Sequence, residues 1–314
     1  MSLALGARRV RAQGALWATP GALLLAVGVL LGVGFPLARL AREGGVPALV
    51  WALLISGSAF AVLGGWLLLV RRRVVLNAQH ARYFAVTALV SYALPNLLVF
   101  AVIVHLGAGV TAMLFTLSPP LTALLSRLAH LRAPSRLEYA GIAFGFAGAA
   151  LVAAARGEVE RPADWLWVGL GLLVPLLLAV GNVYRSLDWP ARADATWLAV
   201  GSHGVALVLL LAAAAMTGEL GALPSLAQLP WLTAGQAAAS ALMFPLFFRL
   251  QQAGGPVLLS QIGTVGAGVG VLVGAGLLGE RYAPQVWGGL ALIALGIGLT
   301  LWARRAVYYD GGPR

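Results

Sequence analysis

The chain has 314 residues, of which 61% are hydrophobic and only 10% charged, and its mean hydropathy is +0.90. A soluble domain has about 25% charged residues, so the composition excludes an ordinary soluble protein and predicts an integral membrane protein. The sequence contains no cysteine, which excludes disulfides and thiolate metal sites, and we expect no metal and no cofactor. The net charge of +11 does not predict a nucleic-acid partner, because the arginines lie in short clusters between apolar spans.

Apolar runs long enough to cross a lipid bilayer follow one another along the chain. They predict an all-α integral membrane protein with ten transmembrane helices, at 18–41, 46–70, 83–105, 107–130, 137–155, 165–187, 194–217, 227–249, 255–278 and 283–303. With both termini in the cytoplasm, five of the 21 arginines fall on the opposite side, which leaves 16 on the cytoplasmic side. This asymmetry predicts cytoplasmic termini.

Four arginines lie close to the ends of predicted spans, and their long side chains are expected to reach the lipid headgroups. They are Arg39, Arg127, Arg185 and Arg249. In this interpretation the arginines of the chain are determinants of topology.

The two halves of the sequence repeat each other at an offset of about 148 residues. Gly141 and Gly148 recur as Gly289 and Gly296, each pair inside a glycine-rich apolar span. A constant offset across both halves predicts an internal duplication.

Each copy holds five predicted spans, so the second copy must enter the membrane from the opposite side. The sequence therefore predicts two inverted five-helix repeats, at 1–155 and 165–305, joined by an extracytoplasmic linker at 156–164. Such repeats are related by a pseudo-two-fold axis in the membrane plane and suit transport by alternating access, with a substrate site between them near the midplane.

The ninth span carries Gly266, Gly270 and Gly274 on one face, which lets another helix approach its backbone closely. Gln261 and Thr264 share a face of the same span. This combination is typical of a transporter helix beside a substrate path, although Gln261 and Thr264 would look the same if they only bonded neighbouring helices. We expect the glycine face to pack within one chain, and the protein to be a monomer.

Three segments carry a family resemblance: GVLLGVGFPLARL, LSPPLTALLSRL and GLLGERYAPQVWGG. With the layout of five plus five spans, they resemble the drug/metabolite transporter superfamily and, within it, the EamA-type exporters, which include exporters of aromatic amino acids. The resemblance covers 20–305 and implies export of small metabolites, often amino acids, across the bacterial inner membrane. Two positions depart from the family pattern: Leu31-Gly32 stands where Trp-Gly is frequent, and Leu131-Arg132 where Gly-Glu is frequent.

Polar side chains inside a membrane span are costly and usually face a bundle interior or a wet cavity. The resemblance implies that the third, fourth, eighth and ninth spans surround the cavity, together with the first and sixth. The predicted cavity residues are Tyr92, Asn96, Phe115, Ser118, Asn182, Gln236, Ser240, Phe244, Gln261 and Thr264. Each of these side chains could instead join helices to one another.

Prolines and a histidine complete the predicted site. A proline inside a helix frees a backbone carbonyl one turn earlier, so hinges or helix breaks are predicted at Pro95, Pro119 and Pro245. His203 is a possible proton carrier, because an imidazole titrates near neutral pH. The alternative is a hydrogen-bonded structural histidine.

No Asp or Glu lies in the middle of any predicted span. A carboxylate proton relay is therefore unsupported, and facilitated diffusion of a small-molecule substrate is predicted. Without an acid, a zwitterion would be held by backbone dipoles and amides, with its apolar part against Tyr92, Phe115 and Phe244.

Two other kinds of transporter and an enzyme were the alternatives. Export of drugs or lipophilic cations stays open, since clustered aromatic rings attract cations. A channel-like permease is the second alternative. The sequence has no HExxH, no GxSxG and no paired membrane aspartates, so it does not predict an enzyme.

Overall fold

The computed structural model describes residues 19–71, 76–156, 165–277 and 279–309. All regular elements in these ranges are helical, which confirms the all-α prediction. In chain order they are α1 (Pro20–Glu43), α2 (Ala48–Leu69), α3 (Ala78–Ala88), α4 (Leu94–Phe115), α5 (Ser118–Leu128), α6 (Arg136–Arg156), α7 (Trp165–Leu187), α8 (Ala195–Thr217), α9 (Ser225–Gln228), α10 (Pro230–Ser260), α11 (Ile262–Leu277) and α12 (Pro284–Tyr309). A π-helical turn, Leu89–Ala93, joins α3 to α4, and a 3₁₀ turn, Glu219–Ala222, precedes α9.

Eight stretches of the described chain are long and apolar enough to cross a membrane. The multi-pass membrane prediction is therefore confirmed, whereas the count of ten stays a prediction. The difference lies in two predicted spans: 107–130 is divided between α4 and α5, and 255–278 between α10 and the shorter apolar helix α11.

Local chemistry sets several helix ends. Thr19, Asn77 and Asp194 each precede a helix, and their side chains accept hydrogen bonds from first-turn backbone N–H groups at 3.3, 3.0 and 2.8 Å. These residues are the preferred N-caps, because the first N–H groups of a helix have no partner within it. Gly218 follows α8 with a φ of 76°, a conformation that suits glycine and ends the helix.

Gly255 interrupts α10 with a φ of 72° and a ψ of 179°. This backbone conformation is available almost only to glycine. The helical stretch after it, from Pro256 through the turn at Gln261 to Leu277, is 22 residues long by number and about 33 Å by helix rise. That length matches the hydrocarbon core of a bilayer.

The first part of α4 runs antiparallel to α7. A β-carbon on Gly171 of α7 would lie 3.3 Å from a methyl of Val102. Ten residues further along α7, a β-carbon on Gly181 would overlap the hydroxyl of Ser91. The neighbouring residue numbers fall as those of α7 rise, so the two segments have opposite directions.

The end of α4 and all of α5 run parallel to α7 instead. A β-carbon on Gly171 would also lie 2.5 Å from a methyl of Leu114. Further along both segments, Thr122 accepts a hydrogen bond from Asn182 at 3.3 Å. A straight helix would separate Val102 from Leu114 by about 18 Å along its axis, so both could not reach one point. The chain therefore reverses direction between them.

Helices α6 and α12 pack against each other through two pairs of glycines. A β-carbon on Gly141 would lie 2.7 Å from the carbonyl oxygen of Gly296, and one on Gly148 would lie 2.5 Å from that of Gly289. The numbers rise along α6 as they fall along α12, so the helices are antiparallel. In the predicted repeat, Gly289 is the copy of Gly141 and Gly296 is the copy of Gly148. Each contact thus joins one glycine to the copy of the other, a reciprocal pattern typical of a two-fold axis.

The glycine face of α11 packs on α1 of the same chain. A β-carbon on Gly266 would lie 3.3 Å from Leu31, and one on Gly270 would lie 3.3 Å from Phe35. A β-carbon on Gly32 of α1 would lie 2.8 Å from the carbonyl oxygen of Gly266. Small residues on both sides therefore allow the two backbones to come close.

Buried ion pairs tie the ends of several helices together. Glu138 is 1% exposed and accepts from Arg132 at 3.1 Å and from Arg304 at 2.8 Å. Arg304 also donates to the carbonyl oxygen of Gly254 at 2.7 Å. Ser135 and Glu138 exchange side chain-to-backbone bonds in a capping box that starts α6. These contacts bring the start of α6, the end of α12 and the interruption of α10 to one place.

Candidate functional site

Three predicted site residues from three different segments form a compact ring group. Tyr92 lies in the π turn before α4, His203 on α8 and Phe244 on α10. The ring centroids are 4.3 Å apart for Tyr92 and His203, 3.7 Å for His203 and Phe244, and 6.0 Å for Tyr92 and Phe244. The ring group, as we call these three residues, therefore joins the first half of the chain to the second.

His203 is fully buried, and its Nδ1 lies 3.4 Å from the hydroxyl of Ser56 on α2. Its other ring nitrogen has no hydrogen-bond partner in the part of the chain that the structure describes. Its ring contacts, Tyr92 and Phe244, carry no charge. These surroundings hold the imidazole in place, and they include no carboxylate that would stabilise its charged form.

Several buried polar atoms within the predicted spans are unpaired. Five of those in the described part of the chain are the Tyr92 hydroxyl, His203 Nε2, Gln236 Oε1, Gln261 Nε2 and the Ser202 hydroxyl. A buried polar group without a partner costs about 1–3 kcal/mol, so most such groups in proteins are satisfied by protein or water. Four of the five belong to residues singled out from the sequence, and unpaired donors and acceptors of this kind are suited to a polar ligand.

Two predicted amides are already bonded within their own helices. Gln236 donates to the hydroxyl of Ser240 at 3.1 Å, and both are buried on α10. Asn96 donates to the carbonyl oxygen of Tyr92 at 2.6 Å. Pro95 follows the π turn with one residue between, and because it has no N–H it cannot donate to the carbonyl oxygen of Ser91 one turn earlier.

Gln261 and Thr264 lie apart from the ring group. The hydroxyl of Thr300 on α12 donates to Gln261 at 3.3 Å. Thr264 faces α6, since its methyl would be 3.2 Å from a β-carbon on Gly145. Both side chains therefore contact the two helices that meet through paired glycines.

The remaining predicted residues have different surroundings. Phe115 is 38% exposed at the end of α4, whereas Ser118 is buried at the start of α5. Pro119 occupies the first turn of α5, where a proline needs no N–H. Pro245 lies inside α10, but the non-helical residue of that helix is Gly255.

The expectation that Arg185 reaches the headgroups is wrong. Arg185 is 1% exposed, and its guanidinium donates to Ser91, to Asn182 at 2.6 Å and to Gln251 at 3.4 Å. The carbon of the guanidinium lies 5.0 Å from the ring centroid of Phe247. Arg127 and Arg249, which were expected to behave in the same way, are exposed.

Ser91, Asn182, Arg185 and Gln251 form a polar cluster. Sequence reasoning missed two of its members, Arg185 and Gln251. Gln251 donates to the carbonyl oxygen of Asn182 at 3.0 Å and to Ser186 at 2.6 Å. A signal was present, because Asn182 and Arg185 are three residues apart and so share one helix face. Asn182 was predicted to face the cavity, and the same reasoning applied to Arg185 would have placed its charge there.

Arg82 and Asp188 form an ion pair next to this cluster. Arg82 donates to the two carboxylate oxygens at 3.0 and 2.5 Å, and the Tyr184 hydroxyl donates at 2.5 Å. The hydrogen bonds from Arg82 hold the pKa of Asp188 below its usual range. Within the described ranges, no group of three or more metal-ligating side chains comes together.

Comparison with known proteins finds a family similarity in the first half of the chain. Residues 19–154 match the EamA-like transporter family. No match was found among curated proteins. One crystal structure shares the fold, with a TM-score of 0.69 at 18% identity, covering 91% of this chain and 98% of the other. The family consists of transporters rather than enzymes. Residues 19–154 are therefore similar to the EamA-like transporter family, and the described part of the chain has the long apolar helices of a multi-pass membrane protein.

Proposed function

We propose that this protein exports small metabolites, above all amino acids with aromatic or apolar side chains, by alternating access between inverted repeats at 1–155 and 165–305. Both termini are cytoplasmic in this proposal, the membrane is the bacterial inner membrane, and transport is facilitated diffusion. The observation that carries it is the reciprocal contact of α6 with α12, in which each glycine meets the copy of the other. Two halves related in this way can exchange conformations, which is the basis of alternating access.

The directions of the helices support ten crossings. Between α6 and α12 the chain passes through α7, α8 and α10, all long enough to span. If these were the only crossings, α12 would be parallel to α6, whereas the glycine contacts make them antiparallel. A fourth crossing by the stretch 256–277 restores the observed direction. The reversal between Val102 and Leu114 adds the corresponding crossing in the first half.

The ion pairs support the same arrangement. Glu138 and Arg304 are in contact, and so are Arg82 and Asp188. Ten crossings bring all four of these residues to the cytoplasmic side. Eight crossings would put Glu138 and Asp188 on the opposite side from their partners, so the contacts support ten.

The ring group supports an apolar or aromatic substrate. Tyr92 comes from the first half, and His203 and Phe244 come from the second, so the rings lie where the halves meet. Edge and face contacts with these rings would stabilise an aromatic side chain. The unpaired hydroxyl of Tyr92 offers a hydrogen bond to the polar part of the molecule.

Facilitated diffusion is supported by the position of the acids. In the described part of the chain, four carboxylates are in ion pairs near helix ends, those of Glu43, Glu138, Asp188 and Glu280. The other two described acids lie outside the long helices, since Asp194 caps α8 and Glu219 is in the 3₁₀ turn. None of them contacts the ring group, so a proton relay through a mid-membrane acid has no candidate residue there. Export of lipophilic cations is the second candidate function, because the ring group has the aromatic faces that attract cations.

Counterflow in liposomes tests the proposal. Purified protein is reconstituted, the vesicles are loaded with unlabelled amino acids, and uptake of a labelled trace is followed with and without a pH gradient. We expect uptake of aromatic and apolar amino acids that does not depend on the gradient. Uptake only with a gradient would contradict facilitated diffusion, and absence of amino acid exchange would favour the cation alternative.

Variants connect transport to the ring group. Removing a ring by Phe244→Ala should lower the exchange rate about tenfold, the equivalent of one lost aromatic contact. Phe144→Ala is the matched control, because Phe144 is 39% exposed on α6. Equal rates for the two variants would mean that the substrate binds elsewhere.

A further inference from the structure

Arg185 is a buried cation whose three oxygen partners are all neutral. They are the hydroxyl of Ser91 and the side-chain carbonyls of Asn182 and Gln251. Its side chain is 1% exposed and comes from the last turn of a predicted membrane span. Neutral partners satisfy hydrogen bonds but do not balance a charge.

Four other arginines have carboxylate partners. Arg39, Arg82, Arg132 and Arg304 each form an ion pair with a carboxylate. None of the ion pairs in the described part of the chain includes Arg185. Since an unpaired charge in a low-dielectric interior is very costly, buried charges in proteins usually have a partner of opposite sign.

Nearby acids are already committed to other partners. Asp188 follows Arg185 by three residues, but its carboxylate accepts from Arg82 and from Tyr184. Arg185 therefore has the chemistry of a site that is completed by an anion from outside the protein. In membrane proteins, an ionisable residue of this kind is a marker of a substrate path.

The guanidinium has room for one carboxylate. Its three hydrogen bonds use three of its five N–H groups and leave one hydrogen on each terminal nitrogen. Two N–H groups on adjacent nitrogens match the two oxygens of a carboxylate. A single positive charge balances a monocarboxylate, whereas a phosphate dianion would require further cations.

The position of Arg185 connects it to the ring group. Ser91 directly precedes Tyr92, and Phe247 lies below the guanidinium with its centroid 6.2 Å from that of Phe244. Ser91 belongs to the first half of the chain and Arg185 to the second. A relative movement of the halves would separate these two residues and uncover the guanidinium.

We propose that Arg185 binds the carboxylate of the transported molecule while the ring group holds its aromatic or apolar part. This inference rests on the proposed function and narrows it to organic carboxylates, amino acids included. It also disfavours lipophilic cations, because a buried guanidinium repels a cation at the same site.

A binding experiment tests the carboxylate site without requiring transport. Thermal unfolding of the protein in detergent is followed with phenylalanine, with 3-phenylpropionate, which lacks the amine, and with phenethylamine, which lacks the carboxylate. We expect stabilisation by the two carboxylates and none by the amine. Arg185→Gln should weaken carboxylate binding about tenfold or more, as expected for loss of a charged hydrogen-bonded pair.

Two further variants guard against a structural explanation. Arg249→Gln removes an exposed arginine and should bind both carboxylates as the wild type does. Arg185→Lys keeps the charge but loses the paired N–H groups of the guanidinium. It should therefore bind carboxylates more weakly but still prefer them over the amine. If Arg185→Gln does not fold, the comparison of the acids with the amine, in the wild type and in Arg185→Lys, still tests whether Arg185 binds a carboxylate.

The outcomes separate this inference from the proposed function. Stabilisation by the amine, or equal carboxylate binding by Arg185→Gln, would overturn the inference, as would the absence of stabilisation by either acid. Carboxylates that bind through Arg185 but show no counterflow would leave the inference standing and contradict the proposed export. Counterflow of carboxylates that is unchanged in Arg185→Gln would support the proposed export and contradict the role of Arg185.

Discussion

Gly288 and Gly289 are neighbours on α12 but meet different surroundings. A β-carbon on Gly289 would lie 2.7 Å from the carbonyl oxygen of Gly148 and 2.8 Å from a methyl of Val152. A β-carbon on Gly288 would lie 3.9 Å from Leu151, which is ordinary contact. The residue type is the same, so the consequence of adding one methyl group depends only on which side of the helix it faces.

Gly289→Ala is therefore expected to force α6 and α12 apart. Because the obstructing atom is backbone and cannot rotate away, the free energy of unfolding should fall by about 1–3 kcal/mol. Thermal unfolding in detergent micelles measures the effect, with Gly288→Ala as the control that should unfold like the wild type. An unchanged melting temperature for Gly289→Ala would contradict the close contact of the two helices.

Asp188 is expected to make stability depend on pH. Its pKa is lowered by Arg82, so the folded protein holds this proton less tightly than the unfolded chain, where an aspartate titrates near about 3.9. The stabilisation is complete above about pH 4 and is lost as the pH falls through the lowered pKa.

Asp188→Asn isolates this contribution from that of other carboxylates. The difference in melting temperature between wild type and variant should be largest at neutral pH and should shrink below about pH 4. Melting curves of both proteins across this range provide the measurement. A difference that stays constant with pH would mean that the Asp188 carboxylate does not carry the contact with Arg82.

At the scale of an element, α10 shows how one residue divides a helix. Gly255 has a φ of 72° and a ψ of 179°, and Gly254 beside it accepts a hydrogen bond from Arg304. The helix continues through Pro245, ten residues earlier. The direction of the chain after α10 is therefore set by a glycine and not by a proline.

Gly255→Ala is expected to destabilise the protein by about 1–3 kcal/mol, since a side chain at this φ and ψ clashes with its own backbone. Gly263→Ala on α11 is the control, because a β-carbon there meets no atom within 4 Å and alanine favours a helix. Both variants can be compared by thermal unfolding in micelles. Equal stability of the two would show that Gly255 has no special conformation.

For the whole molecule, the number of crossings decides which loops face the cytoplasm. The natural chain has no cysteine, so single cysteines report accessibility without a background. We choose Ala48→Cys, Ala191→Cys and Ala227→Cys, because all three positions are exposed. With ten crossings and a cytoplasmic N-terminus, Ala48 and Ala227 face outward and Ala191 faces the cytoplasm.

Labelling of intact cells with a membrane-impermeant maleimide should therefore modify the cysteines at 48 and 227 and spare the one at 191. Permeabilised cells, in which all three should react, provide the control. Labelling at 48 and 191 but not at 227 would support eight crossings. Loss of labelling at 48 would instead mean that the N-terminus is outside.

Much of the fold follows from patterns along the chain. The predicted sixth span, 165–187, coincides with α7, and the seventh, 194–217, differs from α8 by one residue. Hydropathy and capping residues are properties of neighbouring positions, so they can be read without knowing what packs against a helix. The glycines that pair α6 with α12 were recognised in the same way, through their recurrence in the two halves.

The site depended on packing that no local pattern contains. Arg127, Arg185 and Arg249 all lie near predicted span ends, yet Arg185 alone among them is buried, because the π turn and α10 cover that face of α7. Likewise, Gln261 and Thr264 share a helix face, but only the positions of α6 and α12 determined what that face meets. The sequence by itself determined a helical membrane protein and predicted two similar halves, because periodicity and composition are local. The tertiary structure decided where its buried charge lies, since the same arginine is exposed or enclosed according to the helices that surround it.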